Sequence, residues 1–177
     1  MIFEEKTVSS KIVYEGPVFK VRQHMVETCG GMSQRDIVEH SGGAIMVAVT
    51  DDGKVLMERQ YRKALEQVLY ELPAGKADPG EEPEVTAVRE LKEETGYTAE
   101  EVKHLVSFYP TCGYSNEYLH IYICRGLTKG ETSWDDTECM DIMEIDAEEL
   151  LSMIMSNEIK DSKTIIGILY AKQAGEI

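Results

Sequence analysis

A chain of 177 residues with 42% apolar side chains is long enough for a sizeable core and has the composition of a soluble globular protein. Its formal net charge of −15 argues against binding nucleic acid or a membrane surface through a basic patch. Residues 1–11 lack the layout of a signal peptide, no apolar run reaches membrane-spanning length, and the four cysteines (Cys29, Cys112, Cys124, Cys139) form no Cys-x-x-Cys unit. Reduced cytoplasmic thiols and no zinc site are therefore expected.

Residues 11–27 alternate in places and break at Gly16-Pro17, which predicts two short strands of a hairpin or edge ribbon. Cys29-Gly30-Gly31 predicts a turn, and residues 33–39, which include Arg35, a further strand. The continuous apolar run at 44–49 predicts a buried central strand. Asp51-Asp52-Gly53 is a hairpin signal, so residues 54–61 are expected to return as that strand's partner, closing on Arg59 and Arg62. Residues 68–72 predict a strand that delivers the chain to Pro73-Ala74-Gly75. Pro79, Gly80 and Pro83 then exclude regular structure until a helix over 86–95, which Gly96 ends. Strands are predicted at 102–109 and 118–125 on either side of a polar loop, followed by a second loop over 130–138 and a last strand at 140–145. Asp146 caps a helix over 147–155, and Asp161 or Ser162 caps another that runs to about Gln173. The pattern is α/β, with helices around a mixed sheet. It divides into N-terminal strands, 1–40, able to pack on their own domain or on a partner subunit, and a main domain, 41–177.

On the helix over 86–95, Glu90, Glu93 and Glu94 fall on one side, because residues three and four apart are surface neighbours. Val85, Val88 and Leu91, with Ala87 beside them, form an opposite apolar stripe suited to anchoring the helix. Like charges at this spacing repel, and a hard divalent cation resolves the conflict, since Mg²⁺ and Mn²⁺ prefer carboxylate, carbonyl and water oxygens. A solvated acidic face is the alternative reading of any Glu-rich helix taken alone.

The spacing decides between them. Gly75, Glu81, Arg89, Glu90, Leu91, Glu93, Glu94, Gly96 and Tyr97 fill every fixed position of the pattern Gly, five residues, Glu, seven residues, Arg-Glu-hydrophobic, one residue, Glu-Glu, one residue, Gly-hydrophobic. The segment thereby resembles the Nudix box. The resemblance implies an α/β/α sandwich around a mixed sheet with an N-terminal β-ribbon, a loop-helix-loop that binds divalent metal, and hydrolysis of a nucleoside diphosphate linked to another group. It implies Glu90 and Glu94 as metal ligands, Glu81 as an accessory carboxylate, the Ala74 carbonyl completing the site, and Arg89 and Glu93 orienting the helix.

Within that family the chain is similar to the ADP-ribose pyrophosphatases over roughly residues 12–170. The features that carry this are Arg35-Asp36, Arg59-Gln60-Tyr61-Arg62, Glu71-Leu72-Pro73-Ala74-Gly75, Gly113-Tyr114-Ser115-Asn116-Glu117 and Asp161-Ser162-Lys163-Thr164. The likeness implies a cytoplasmic, Mg²⁺-dependent (or Mn²⁺-dependent) homodimer with an exchanged N-terminal ribbon. It further implies Arg35 and Arg62 on the diphosphate, Phe19 as an adenine contact, Glu117 as a further substrate contact, and a general base from the 130–138 loop, Glu138 before Asp136. The products would be AMP and ribose 5-phosphate. Cys112 stands where the family pattern has a proline, with Pro110 two residues earlier. That departure keeps another nucleoside diphosphate sugar, ADP-glucose or GDP-mannose, open as substrate. A non-catalytic module that senses ADP-ribose is a reading of another class.

Overall fold

The structure is a computed structural model and describes residues 2–134 and 139–177. The chain forms two compact units, 1–42 with 109–118, and 43–108 with 119–177. The polar segment that the sequence places inside the main domain thus belongs with the N-terminal strands.

In the first unit β1 (Lys6–Glu15), β2 (Lys20–Thr28) and β3 (Gly31–Glu39) form an antiparallel sheet in that order. Gly31 takes φ +113° at the tight β2–β3 turn, a conformation open to glycine and strained for other residues. The 109–118 segment joins the free edge of β3, where the Val38 amide donates to the Tyr114 carbonyl at 2.7 Å and Asn116 returns a bond to Val38 at 3.1 Å. All ten residues of β1 are exposed.

In the second unit, β4 (Gly43–Ala48) lies between β7 (Ala74–Lys76) and β9 (Leu119–Lys129), with β8 (Tyr97–Phe108) beyond β9. Only the β4–β9 pairing is parallel, so the sheet is mixed. A second sheet holds β10 (Met140–Asp146), β5 (Lys54–Arg62) and β6 (Gln67–Glu71). The expected pairing of β4 with β5 as a hairpin does not form. Its turn forms, with Gly53 at φ +85° and its amide on the Thr50 carbonyl, but the strands share one bridge, Val49 to Val55, and then separate. Both edges of β4 are already paired, and β5 finds its partners in β6 and β10.

Strand alternation distributes the core. Ile45, Val47, Ile121, Ile123, Val55 and Met57 meet α2 (Ala147–Met155) and α3 (Ser162–Gln173), whereas Ala44, Met46, Ala48, Tyr122, Cys124 and Leu56 meet α1 (Pro83–Thr95). The result is helix, sheet, helix. Asp161 caps α3 by accepting from the Thr164 amide at 3.0 Å, whereas Asp146 precedes α2 without a side-chain cap. The four cysteines carry free thiols, and burial pushes that of Cys124 up to about 12. Among the described residues no helix is long and apolar enough to cross a membrane.

Candidate active site

Helix α1 begins earlier than its proline suggests, because Pro83 occupies the first turn, where its missing N–H costs nothing. Gly96 ends it at φ +76°, donating back to the Lys92 carbonyl at 3.0 Å. The face that packs on the sheet is Thr86, Ala87, Leu91, Glu94 and Thr95. This corrects the predicted stripe, since Val85 and Val88 are half exposed and line an open cleft with Tyr122, Glu82 and Glu84. Small side chains at 86 and 87 let the helix close on the strands and carry Glu94 inward with it.

The strand end that meets this helix is fixed from three directions. The Leu72 amide donates to Thr164 Oγ1 at 2.8 Å, the Met46 amide to the Pro73 carbonyl at 2.9 Å, and the Ala74 amide to Glu94 Oε2 at 3.0 Å. Ala74 therefore meets Glu94 through its N–H. A Cβ on Gly75 would lie 1.8 Å from the Glu90 carboxylate carbon, and one on Gly43 would lie 2.4 Å from the Gly75 carbonyl oxygen. Two glycines thus let β4, β7 and the Glu90 side chain stack directly.

Arg89 organises the rest. Its Nε and Nη2 hold Glu81 at 3.0 and 2.8 Å, its Nη1 reaches Glu90 at 2.8 Å and Glu93 at 3.0 Å, and Nη2 also donates to the Lys76 carbonyl. Glu81 further accepts from Thr86 Oγ1 at 2.8 Å and the Asp78 amide at 3.1 Å. These bonds, that from Arg89 first, hold the Glu81 carboxyl down at about 2 and raise the Arg89 guanidinium. Three acids are drawn to one planar cation.

Deeper in, Glu58 on β5 and Glu71 on β6 face each other across the strands, each only 2% exposed. Arg62 grips Glu71 through two bonds of 2.7 and 2.8 Å, and Lys163 binds both Glu71 and Asp161. Burial pushes the Glu71 carboxyl up, but these cations outweigh it and the net shift is downward. Glu58 is hydrogen-bonded to Glu94, and burial, then Glu71, push it up to about 7. Among the described residues its Oε1 has no hydrogen-bond partner.

Among the described residues, no three Asp, Glu, His or Cys groups converge as they stand on one point that could hold a metal ion, because Arg89 spans Glu81, Glu90 and Glu93. The donor set nevertheless suits a hard divalent cation. It consists of oxygens, it sets Glu58 against Glu94, and it leaves one buried carboxylate oxygen unmatched.

Arg35 lies in the first unit and grips Glu5 at 2.9 and 2.6 Å. Phe19, partly exposed, lies 5.5 Å from the Tyr14 ring, and Glu117 stands 3.6 Å from His40 Nδ1, both in that unit. Asp136 and Glu138 fall outside the described residues, but the start of their loop is fixed on α1. The Gly130, Ser133 and Trp134 N–H groups donate to the carbonyls of Gly96, Glu93 and Glu94 at 2.7, 2.9 and 2.5 Å. Sequence reasoning missed Glu58. The available signal was an acidic residue closing the apolar run Val55-Leu56-Met57 of a strand.

Comparison with known proteins agrees with this architecture. The NUDIX domain family model matches residues 40–165. The methanol dehydrogenase activator of Bacillus methanolicus is 42% identical over 96% of this chain and 93% of its own. The ADP-ribose pyrophosphatase of Bacillus subtilis (strain 168) is 40% identical over 94% and 92%. The crystal structure of an ADP compounds hydrolase covers 99% of this chain and 96% of its own with a TM-score of 0.85 at 18% identity, a likeness of fold. With Glu81, Glu90 and Glu93 gathered on Arg89 and the family's domain matched around them, this chain belongs to the Nudix family.

Proposed function

We propose that this protein hydrolyses the diphosphate bond of ADP-ribose to AMP and ribose 5-phosphate, with Mg²⁺ as its cation and Mn²⁺ able to replace it. One observation carries the reading. Glu90 lies on the Gly75 backbone while Glu94 is fixed on the Ala74 amide, so two box carboxylates meet at the strand end, in a chain 40% identical to a protein named for this reaction.

Glu90 and Glu94 would hold the cation, with the Ala74 carbonyl and Glu81 beside them. When bound, a divalent ion withdraws charge from the diphosphate oxygens and lowers the pKa of water. Arg89 keeps Glu90 and Glu93 in place through its fork, and Glu81 keeps Arg89 in place. Glu138, with Asp136 as alternative, takes the proton of the attacking water, from a loop whose first residues are tied to the α1 carbonyls. Arg35 and Arg62 offer planar donors to the diphosphate, which a chain of net charge −15 otherwise repels. Phe19 stacks on adenine, and Glu117 contacts the substrate. The proposal extends to a cytoplasmic homodimer joined through the N-terminal ribbon, supported by a β1 that is exposed along its whole length.

The test is product analysis after incubating the pure protein with ADP-ribose, ADP-glucose, GDP-mannose and a nucleoside triphosphate, with and without Mg²⁺. Fastest cleavage of ADP-ribose, and only with the ion, is expected; preference for another sugar nucleotide overturns the substrate. A second reading is favoured by the 42% identity to a protein named as an activator of methanol dehydrogenase, in which this chain acts on another enzyme. That reading predicts slow turnover of free ADP-ribose until such a partner is added.

A further inference from the structure

Glu58 sits where a carboxylate is hardest to accommodate. It follows Leu56 on the face of β5 turned towards α1, with Ile142 of β10 on one side and Glu71 of β6 directly opposite on the other. Like charges directly opposed across strands are destabilising. Glu71 is answered by Arg62 and Lys163, but those cations act on Glu58 only through space. The side chain is 2% exposed, one of its oxygens has no hydrogen-bond partner among the described residues, and its hydrogen-bonded neighbour is another carboxylate, Glu94. A carboxylate buried in this way is disfavoured, and a methionine or leucine would fill the space without that cost. Oxygens of two carboxylates, Glu58 and Glu94, meet at one point, which suits a divalent cation.

We propose that Glu58 is a further carboxylate of the cation site, sharing a divalent ion with Glu94 from the β5 side. The inference rests on the reading that Glu94 holds metal, and it extends the site beyond the loop and helix to a strand of the second sheet. Glu58 is then the link between the Glu71–Arg62–Lys163 network and the ion. A change in that network reaches the cation through one buried side chain.

The experiment measures Mn²⁺ binding to the metal-free protein without substrate, by the electron paramagnetic resonance signal of the free ion. It uses wild type, Glu58→Gln, Glu58→Met, Glu58→Asp and Glu94→Gln, with thermal melting of each in the absence of metal. Glu58→Gln and Glu58→Met are expected to weaken Mn²⁺ binding by about 10-fold or more, the range found when groups supporting a metal site are removed. Their metal-free melting should be unchanged or higher, and Glu58→Asp should recover part of the affinity. If both neutral variants bind Mn²⁺ like wild type while Glu94→Gln does not, Glu58 is outside the site and the metal reading stands. If Glu94→Gln also binds like wild type, the metal reading falls and this inference falls with it. Failure of both neutral variants to fold assigns the carboxylate to the framework and likewise overturns the proposal.

Discussion

Arg89 places all of its donors inside the site, so the positions of Glu81, Glu90 and Glu93 are set by one guanidinium rather than by three independent contacts. Glu94 is set separately, by the Ala74 amide, and its loss should be felt in chemistry before stability. Glu94→Gln is expected to lower kcat/KM for ADP-ribose by at least about 100-fold, the upper end of what removing supporting groups does to metal sites. Circular dichroism should remain native; a folded variant with wild-type turnover refutes the assignment. Gly75→Ala is a quieter probe. The added carbon would sit 1.8 Å from the Glu90 carboxylate carbon, the mobile end of a long side chain, so Glu90 should swing aside and the fold should survive. A large fall in turnover with a melting temperature within a few degrees of wild type is the expected pair of results. Residues 89, 90, 93 and 94 were legible as a group because helical spacing alone makes them neighbours. Glu58 was not, because its meeting with Glu94 needs a strand and a helix far apart in sequence to pack together.

At the scale of elements, the ends of β6 and α3 are held as one piece by the Glu71 network and by the Leu72–Thr164 bond. Gly167 of α3 lies against Leu72, where a Cβ would come within 2.6 Å of its Cδ1. Replacing a helical glycine gains at most about 1 kcal/mol from propensity, and less for a β-branched residue, whereas overpacking a core costs about 1–3 kcal/mol. For Gly167→Val, with two further carbons and a branched Cβ, overpacking wins, and a lower urea midpoint is expected. The network also predicts a pH dependence. Because the folded Glu71 carboxyl lies below its ordinary value, its contribution to stability is complete above about pH 4.3 and is lost as pH falls through the lowered value. Denaturant unfolding from pH 6 to pH 3 should show a fall in stability that Glu71→Gln makes shallower; an unchanged slope in the variant refutes the linkage. The packing face of α1 was misread from its sequence because valines outrank Thr86 and Ala87 in hydropathy, while close approach to the sheet favours the smaller pair.

For the whole molecule, β1 is a long edge strand with Val8, Ile12, Val13 and Tyr14 exposed. An edge of this length and character is a template for pairing with another chain. A second copy is the expected partner, so sedimentation equilibrium should give twice the monomer mass. Val8→Lys with Ile12→Lys should shift the protein to monomer. A wild-type protein that sediments as a monomer at micromolar concentration rules this out.

The sequence by itself determined the box, the order of the strands and helices apart from the short β7, and the α/β character, because each depends on spacing and periodicity along a few neighbouring residues. Tertiary structure alone decided that β5 leaves β4 for a second sheet, that 109–118 joins the edge of β3, and that Glu58 and Glu71 oppose each other beneath Glu94. These are choices among partners distant in the chain. They follow from which strand edges are already occupied and which buried charges find a counter-charge, and neither is written in local sequence.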